Sequence, residues 1–128
     1  MAKIRYSKNG GLLEETVLEQ IREYLISLGW TVIRIYTGGI PLGRGVWGVN
    51  QCKGIPDLIC FHNDSPDMMW IEVKKEKGGR VSPEQKKWHG LLSSHRQIIL
   101  LVNSLECLKQ QLKDCRNEPV PDTKPYAA

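Results

Sequence analysis

Two apolar runs of strand length flank five residues that are almost all turn formers, and nothing else in this chain limits its folding as much. Residues 56–62 hold Leu58, Ile59, Cys60 and Phe61 in unbroken succession, and residues 68–75 follow after Asn63, Asp64, Ser65, Pro66 and Asp67. Two such runs joined by so short a turn predict a β-hairpin. A hairpin alone cannot bury its apolar face, so the rest of the chain must supply cover.

The flanking sequence provides it. Between residues 12 and 28, Val17, Leu18, Ile21, Tyr24, Leu25 and Leu28 recur at three- and four-residue spacing, which predicts a helix, and Gly29 sits where a C-terminal cap belongs. Residues 30–36 alternate and are rich in β-branched and aromatic types, as a strand requires. Residues 37–54 carry six glycines and Pro41 and predict a long loop, with room for a loose hairpin. Ser82, Pro83 and Gln85 form the start signal of a second helix, with a capping box and Pro at the first helical position. Its apolar stripe is Trp88, Leu91 and Leu92. A further strand is expected at residues 97–102, and a last helix after Ser104 with Leu105, Leu108 and Leu112 on one face. The order α-β-loop-β-β-α-β-α predicts an α/β fold, a mixed sheet flanked by helices.

A chain of 128 residues, 41% apolar and 25% charged, is expected to form one globular domain over residues 12–115, with a polar arm at 1–11. Pro119, Pro121 and Pro125 in a stretch with little to bury predict a disordered tail over 116–128. No apolar run reaches the ~18 residues of a membrane span, and the basic N-terminus lacks an apolar signal core, so a cytoplasmic location without a membrane partner is expected. Cys52, Cys60, Cys107 and Cys115 form no C-x-x-C pair, which argues against structural zinc. Free thiols are expected, with Cys60 and Cys107 in the core. His62, His89 and His95 are scattered and are read as surface or packing residues.

The net charge of +4 permits a nucleic-acid partner without demanding one. Its distribution says more. Lys74, Lys75, Lys77, Arg80, Lys86 and Lys87 fall within 14 residues, and the glycine-rich loop adds Arg44 and Lys53. Such a cluster suits either a solvated face or phosphate contacts.

The chemistry lies in the strand Ile71-Glu72-Val73-Lys74. Side chains alternate across a strand, so Ile71 and Val73 enter the core while Glu72 and Lys74 lie side by side on the other face. Asp57 opens the preceding strand, and hairpin pairing can bring its carboxylate beside Glu72. Two adjacent carboxylates repel unless a cation lies between them, and hard oxygen donors suit Mg²⁺ or Mn²⁺. Such an ion activates water and neutralises charge on a phosphoryl oxygen, while a nearby lysine positions the water or stabilises the extra charge. Taken alone, E-x-K is common as an ordinary surface ion pair, and P-D is equally common. It is their combination, with a basic helix start following, that points to phosphodiester hydrolysis.

Gly54-Ile55-Pro56-Asp57-Leu58-Ile59, Ile71-Glu72-Val73-Lys74 and Ser82-Pro83-Glu84-Gln85 together resemble the PD-(D/E)XK nuclease superfamily, and more narrowly the stand-alone VRR-NUC domains of phages and bacteria. The resemblance spans about residues 12–103. It implies a restriction-endonuclease-like α-β-β-β-α-β core and a Mg²⁺- or Mn²⁺-dependent endodeoxyribonuclease in a bacterial or phage-infected cell. It further implies a homodimer related to Holliday junction resolvases, with branched DNA as substrate. Asp57 and Glu72 would bind the metal, the Val73 carbonyl would assist, and Lys74 would be the catalytic lysine. The family also takes a metal-binding glutamate from its first helix, and here Glu14 and Glu15 are both available. Glu14 shares a helix face with Val17, Leu18, Ile21 and Leu25, while Glu15 lies about 100° around the helix, so Glu14 is chosen. Gln85 matches a family glutamine and is placed among the catalytic residues, although the capping box explains it equally well. Tyr36 and Trp47 are candidates for stacking on bases or, more simply, for packing.

Three other readings compete. A flap or replication-fork nuclease and a restriction-type nuclease use the same chemistry on other DNA. A non-catalytic DNA-binding module would keep the fold alone; the intact Asp57, Glu72 and Lys74 speak against it.

Overall fold

A computed structural model describes residues 10–35, 40–43, 46–48 and 52–117. The elements in order are α1 (Glu14–Ser27), β1 (Trp30–Arg34), β2 (Ile40–Gly43), β3 (Val46–Gly48), β4 (Leu58–His62), β5 (Met68–Val73), α2 (Pro83–Ser94), β6 (Ile99–Val102) and α3 (Leu105–Asn117). Four strands form one sheet in the order β1-β4-β5-β6, and β2 and β3 form a separate two-stranded ribbon inside the expected long loop. β1, β4 and β5 run antiparallel to their neighbours, whereas β6 joins β5 in parallel through the α2 crossover. The result is a mixed sheet flanked by helices, the restriction-endonuclease-like arrangement that the sequence predicts.

Local signals account for the element ends. Gly29 takes φ +90° directly after α1, where a side chain would be strained. The turn after β4 closes when the His62 amide donates to the Asp67 carbonyl at 2.9 Å. Ser82 and Gln85 make the full capping box of α2, and the Ser104 hydroxyl caps α3 through the Cys107 amide at 3.0 Å.

Some boundaries differ from expectation. β5 stops at Val73 rather than Lys75, because the Val73 amide bonds to a side chain, Asp57, and Lys74 then turns its amide to the Val102 carbonyl. β6 begins at Ile99 rather than residue 97: Arg96 adopts φ +60° and the Gln97 amide still donates to the Leu92 carbonyl. α3 continues through Asn117, past the start of the expected tail. Residues 1–9 and 118–128 lie outside the described residues, and no described helix is long and apolar enough to cross a membrane.

One sheet face forms the core. Val17, Leu18, Ile21 and Leu25 of α1 and Leu108 of α3 pack on Val32, Leu58, Cys60, Met69, Ile71, Val73, Leu100 and Val102. Cys107 is half-buried against this cluster, and the cysteines are free thiols. The opposite face carries α2.

Candidate active site

Asp57 is fixed from both sides. Leu58 pairs with Ile71, so one further step of the antiparallel register sets Asp57 opposite Glu72. Its carbonyl accepts the Ile35 amide at 2.8 Å, and its carboxylate Oδ2 accepts the Val73 amide at 2.8 Å. The side chain thus takes over the ladder bond that the backbone of a longer β4 would have made, and this ties Asp57 to the segment that holds Glu72.

The approach to Asp57 is anchored on α2. Gly54 has φ +92°, and a Cβ there would lie 2.5 Å from the backbone of Glu84, so only glycine fits. The Trp88 indole donates to the Lys53 carbonyl at 2.9 Å. The 52–54 turn and the first turns of α2 therefore form one unit.

Glu72 is fully buried. Oε1 lies 3.3 Å from Nε2 of His89, while Oε2 is sealed from water without a hydrogen-bond partner among the described residues. Burial, then a side-chain hydrogen bond to Asp57 and the charge of that carboxylate, push the Glu72 carboxyl up to about 9, against the opposing pull of Lys74. Burial, followed by the positive charge of Lys74, holds the His89 imidazole below its ordinary value, against the opposing pull of Asp57.

Lys74 is half-buried, and its Nζ donates to Gln85 Oε1 at 2.7 Å. The same oxygen accepts the Ser82 amide at 2.8 Å. Gln85 therefore closes the capping box and holds the lysine at once, so the two readings of this residue are compatible. Gly79 lets the following loop close over Lys74, since a Cβ there would fall 2.8 Å from that of the lysine.

Glu14 and Glu15 part company in space. Glu15 makes a paired contact with Arg34 at 2.6 and 2.8 Å. The Glu14 carboxyl is raised, first by burial and then by Asp57, with Lys74 opposing, which places it within the field of the same cluster.

The structure thus brings together Asp57, Glu72, Lys74 and Gln85, with Val73 bound to Asp57 and the exposed Glu14 within the field of Asp57 and Lys74. Lys75, Lys77 and Arg80 lie in the loop from β5 to α2, Lys86 and Lys87 are exposed on α2, and Lys53 is exposed 3.9 Å from Glu84. Arg44 and Tyr36 lie outside the described residues, and only the backbone of Trp47 is described. His89 is the site residue that sequence reasoning missed. The available signal was its position four residues after Gln85, which puts both on one helix face.

Among the described residues, no three His, Cys, Asp or Glu side chains already stand together as a metal cage. The donor set still fits a hard divalent ion. Asp57 disfavours the ionised forms of Glu14 and Glu72, and the Glu72 oxygen without a partner among the described residues is a buried acceptor that a cation would satisfy.

No curated protein and no solved structure matches the chain. A family profile does: the VRR-NUC domain matches residues 49–117, slightly more than half the sequence. That stretch contains Asp57, Glu72, Lys74, Gln85 and His89 and leaves out α1 with Glu14. With the fold and the matched stretch in agreement, this chain belongs to the VRR-NUC family of nuclease domains, within the PD-(D/E)XK superfamily.

Proposed function

We propose that the protein is a divalent-metal-dependent endodeoxyribonuclease that cuts branched DNA as a homodimer in the cytoplasm of a bacterial or phage-infected cell. One observation carries the catalytic part: Asp57 and Glu72 face each other across the β4–β5 register, with Lys74 held beside them by Gln85. Asp57, Glu72, Glu14 and the Val73 carbonyl would hold Mg²⁺ or Mn²⁺, which supplies Lewis acidity toward a phosphoryl oxygen and makes water more acidic. Lys74 orients the attacking water and stabilises negative charge growing on the phosphate. Gln85 fixes the lysine so that little reorganisation is needed when that charge develops. Lys53, Lys75, Lys77, Arg80, Lys86 and Lys87, with Arg44, bind backbone phosphates.

Branched DNA and the homodimer rest on the resemblance to stand-alone, resolvase-like domains. Two equivalent sites related by a twofold axis would suit a four-way junction. The test is incubation of the protein and a Lys74→Ala variant with labelled junction, flap and linear duplex DNA, with and without Mg²⁺ or Mn²⁺. Metal-dependent, paired symmetric cuts in the junction, lost in the variant, are expected. Tight binding without any cutting would sink the enzyme reading in favour of a binding module.

A further inference from the structure

Accepting the metal-nuclease reading above, we infer that His89 is a positioning residue that holds the Glu72 carboxylate by one oxygen and leaves the other for the metal. The argument starts from spacing. Glu72 lies on β5 and Lys74 two residues on, just past its end, a separation of about 6.7 Å for extended backbone. Gln85 and His89 lie four apart on one helix, about 6 Å of rise. The two rows match, and each helix residue meets one of the pair. Gln85 Oε1 takes Lys74 at 2.7 Å, and His89 Nε2 reaches Glu72 Oε1 at 3.3 Å.

The helix that carries both is located by contacts of its own. Trp88 bonds to the Lys53 carbonyl, and Glu84 packs against Gly54, three residues before Asp57. The position of His89 is therefore set by the frame that fixes Asp57 rather than by Glu72. Its imidazole is 20% exposed and lies over a carboxylate that is 1% exposed. With Glu72 ionised, Nε2 is the donor, and Oε2 remains as the oxygen without a partner among the described residues. A carboxylate tethered in this way presents a fixed lone pair, the role that outer hydrogen bonds play around metal ligands.

The test measures Mn²⁺ binding by titration calorimetry, alongside cleavage kinetics, on wild type, His89→Leu, His89→Gln and Glu72→Gln. Leucine removes the donor, whereas glutamine restores an N–H near the place of Nε2. His89→Leu is expected to weaken Mn²⁺ binding by about 10–100-fold and to lower kcat while KM for DNA holds. His89→Gln is expected to stay within a few-fold of wild type in both. Wild-type Mn²⁺ affinity in His89→Leu would overturn the inference and leave the nuclease reading intact. Equal losses in the leucine and glutamine variants would overturn the hydrogen-bond role. Absence of Mn²⁺ binding in wild type, or unchanged binding in Glu72→Gln, would fail the nuclease reading itself and this inference with it.

Discussion

The two faces of the sheet solve different problems. Toward α1 and α3, the strands present Val32, Leu58, Cys60, Met69, Ile71, Val73, Leu100 and Val102, all buried and none charged. Toward α2, the same strands present Ile33, Phe61 and Leu101, each more than a third exposed, together with the buried carboxylate of Glu72. One face gains stability by excluding water from apolar surface. The other spends stability by holding an acid out of water beside a second acid. Burial therefore means opposite things on the two sides of β5: Ile71 and Val73 specify the fold, and Glu72 between them is a cost that only function explains.

The largest expected effect tests that division. Ile71→Ala should cost about 2–5 kcal/mol in urea unfolding, because it opens a cavity in the closed face. Phe61→Ser, on the open face, should cost less than about 1 kcal/mol. Equal losses would mean that the open face is as tightly packed as the core. Next in size come Asp57→Asn and Lys74→Ala. Each should slow DNA cleavage by about 100–1000-fold, equivalent to about 2.7–4 kcal/mol of barrier, with little change in unfolding midpoint. A Lys74→Ala enzyme that cuts at the wild-type rate would remove the lysine from the chemistry.

The closed face was also the more legible one. Apolar spacing in α1 and the turn between β4 and β5 are local signals, and both elements form where the sequence places them. The same spacing selected Glu14 over Glu15, and Glu15 is paired with Arg34. The E-x-K alternation put Glu72 and Lys74 on one face but could not show that Glu72 is buried. That depends on where α2 docks, through Trp88 on Lys53 and Gly54 on Glu84, contacts 30 or more residues apart in sequence. His89 escaped notice for the same reason: a lone histidine carries no local signal, and its meaning comes from a partner 17 residues away. Strand ends were missed by a residue or two where a side chain, as at Asp57, replaced a backbone partner.

The buried acid gives the comparison a pH dependence. In metal-free protein, Glu72 holds its proton up to about 9, whereas the unfolded chain releases it near its ordinary 4.5. Proton binding then favours the folded state. This contribution is fully present below about 4.5 and is lost as pH rises toward 9. With EDTA present, Glu72→Gln should come within about 1 kcal/mol of wild type near pH 5 and gain about 4 kcal/mol on it by pH 8. Added Mn²⁺ should then stabilise wild type more than the variant, since the neutral amide is a weaker ligand than the carboxylate it replaces. Parallel pH profiles for the two proteins would show that Glu72 is ionised at little cost and that the open face is wetter than its geometry implies.

The smallest effect concerns the two neighbouring glutamates at the start of α1, where the two faces meet. Glu15 and Arg34 make a well-formed pair, but both are solvent-accessible. Exposed pairs contribute about 0.2–1 kcal/mol and are screened by salt. Glu15→Gln should therefore lower stability by no more than that at low salt, lose even this difference near 1 M NaCl, and leave cleavage unchanged. Glu14→Gln should do the reverse, weakening Mn²⁺ binding while removing the carboxyl that Asp57 and burial disfavour, so that metal-free stability holds or rises. The two substitutions are chemically identical and one residue apart, so a difference between them can only come from the roughly 100° that separates the side chains around the helix. If Glu15→Gln impaired metal binding and Glu14→Gln did not, α1 would be presenting the other carboxylate to the site, and the ion pair with Arg34 would have to open for the enzyme to work.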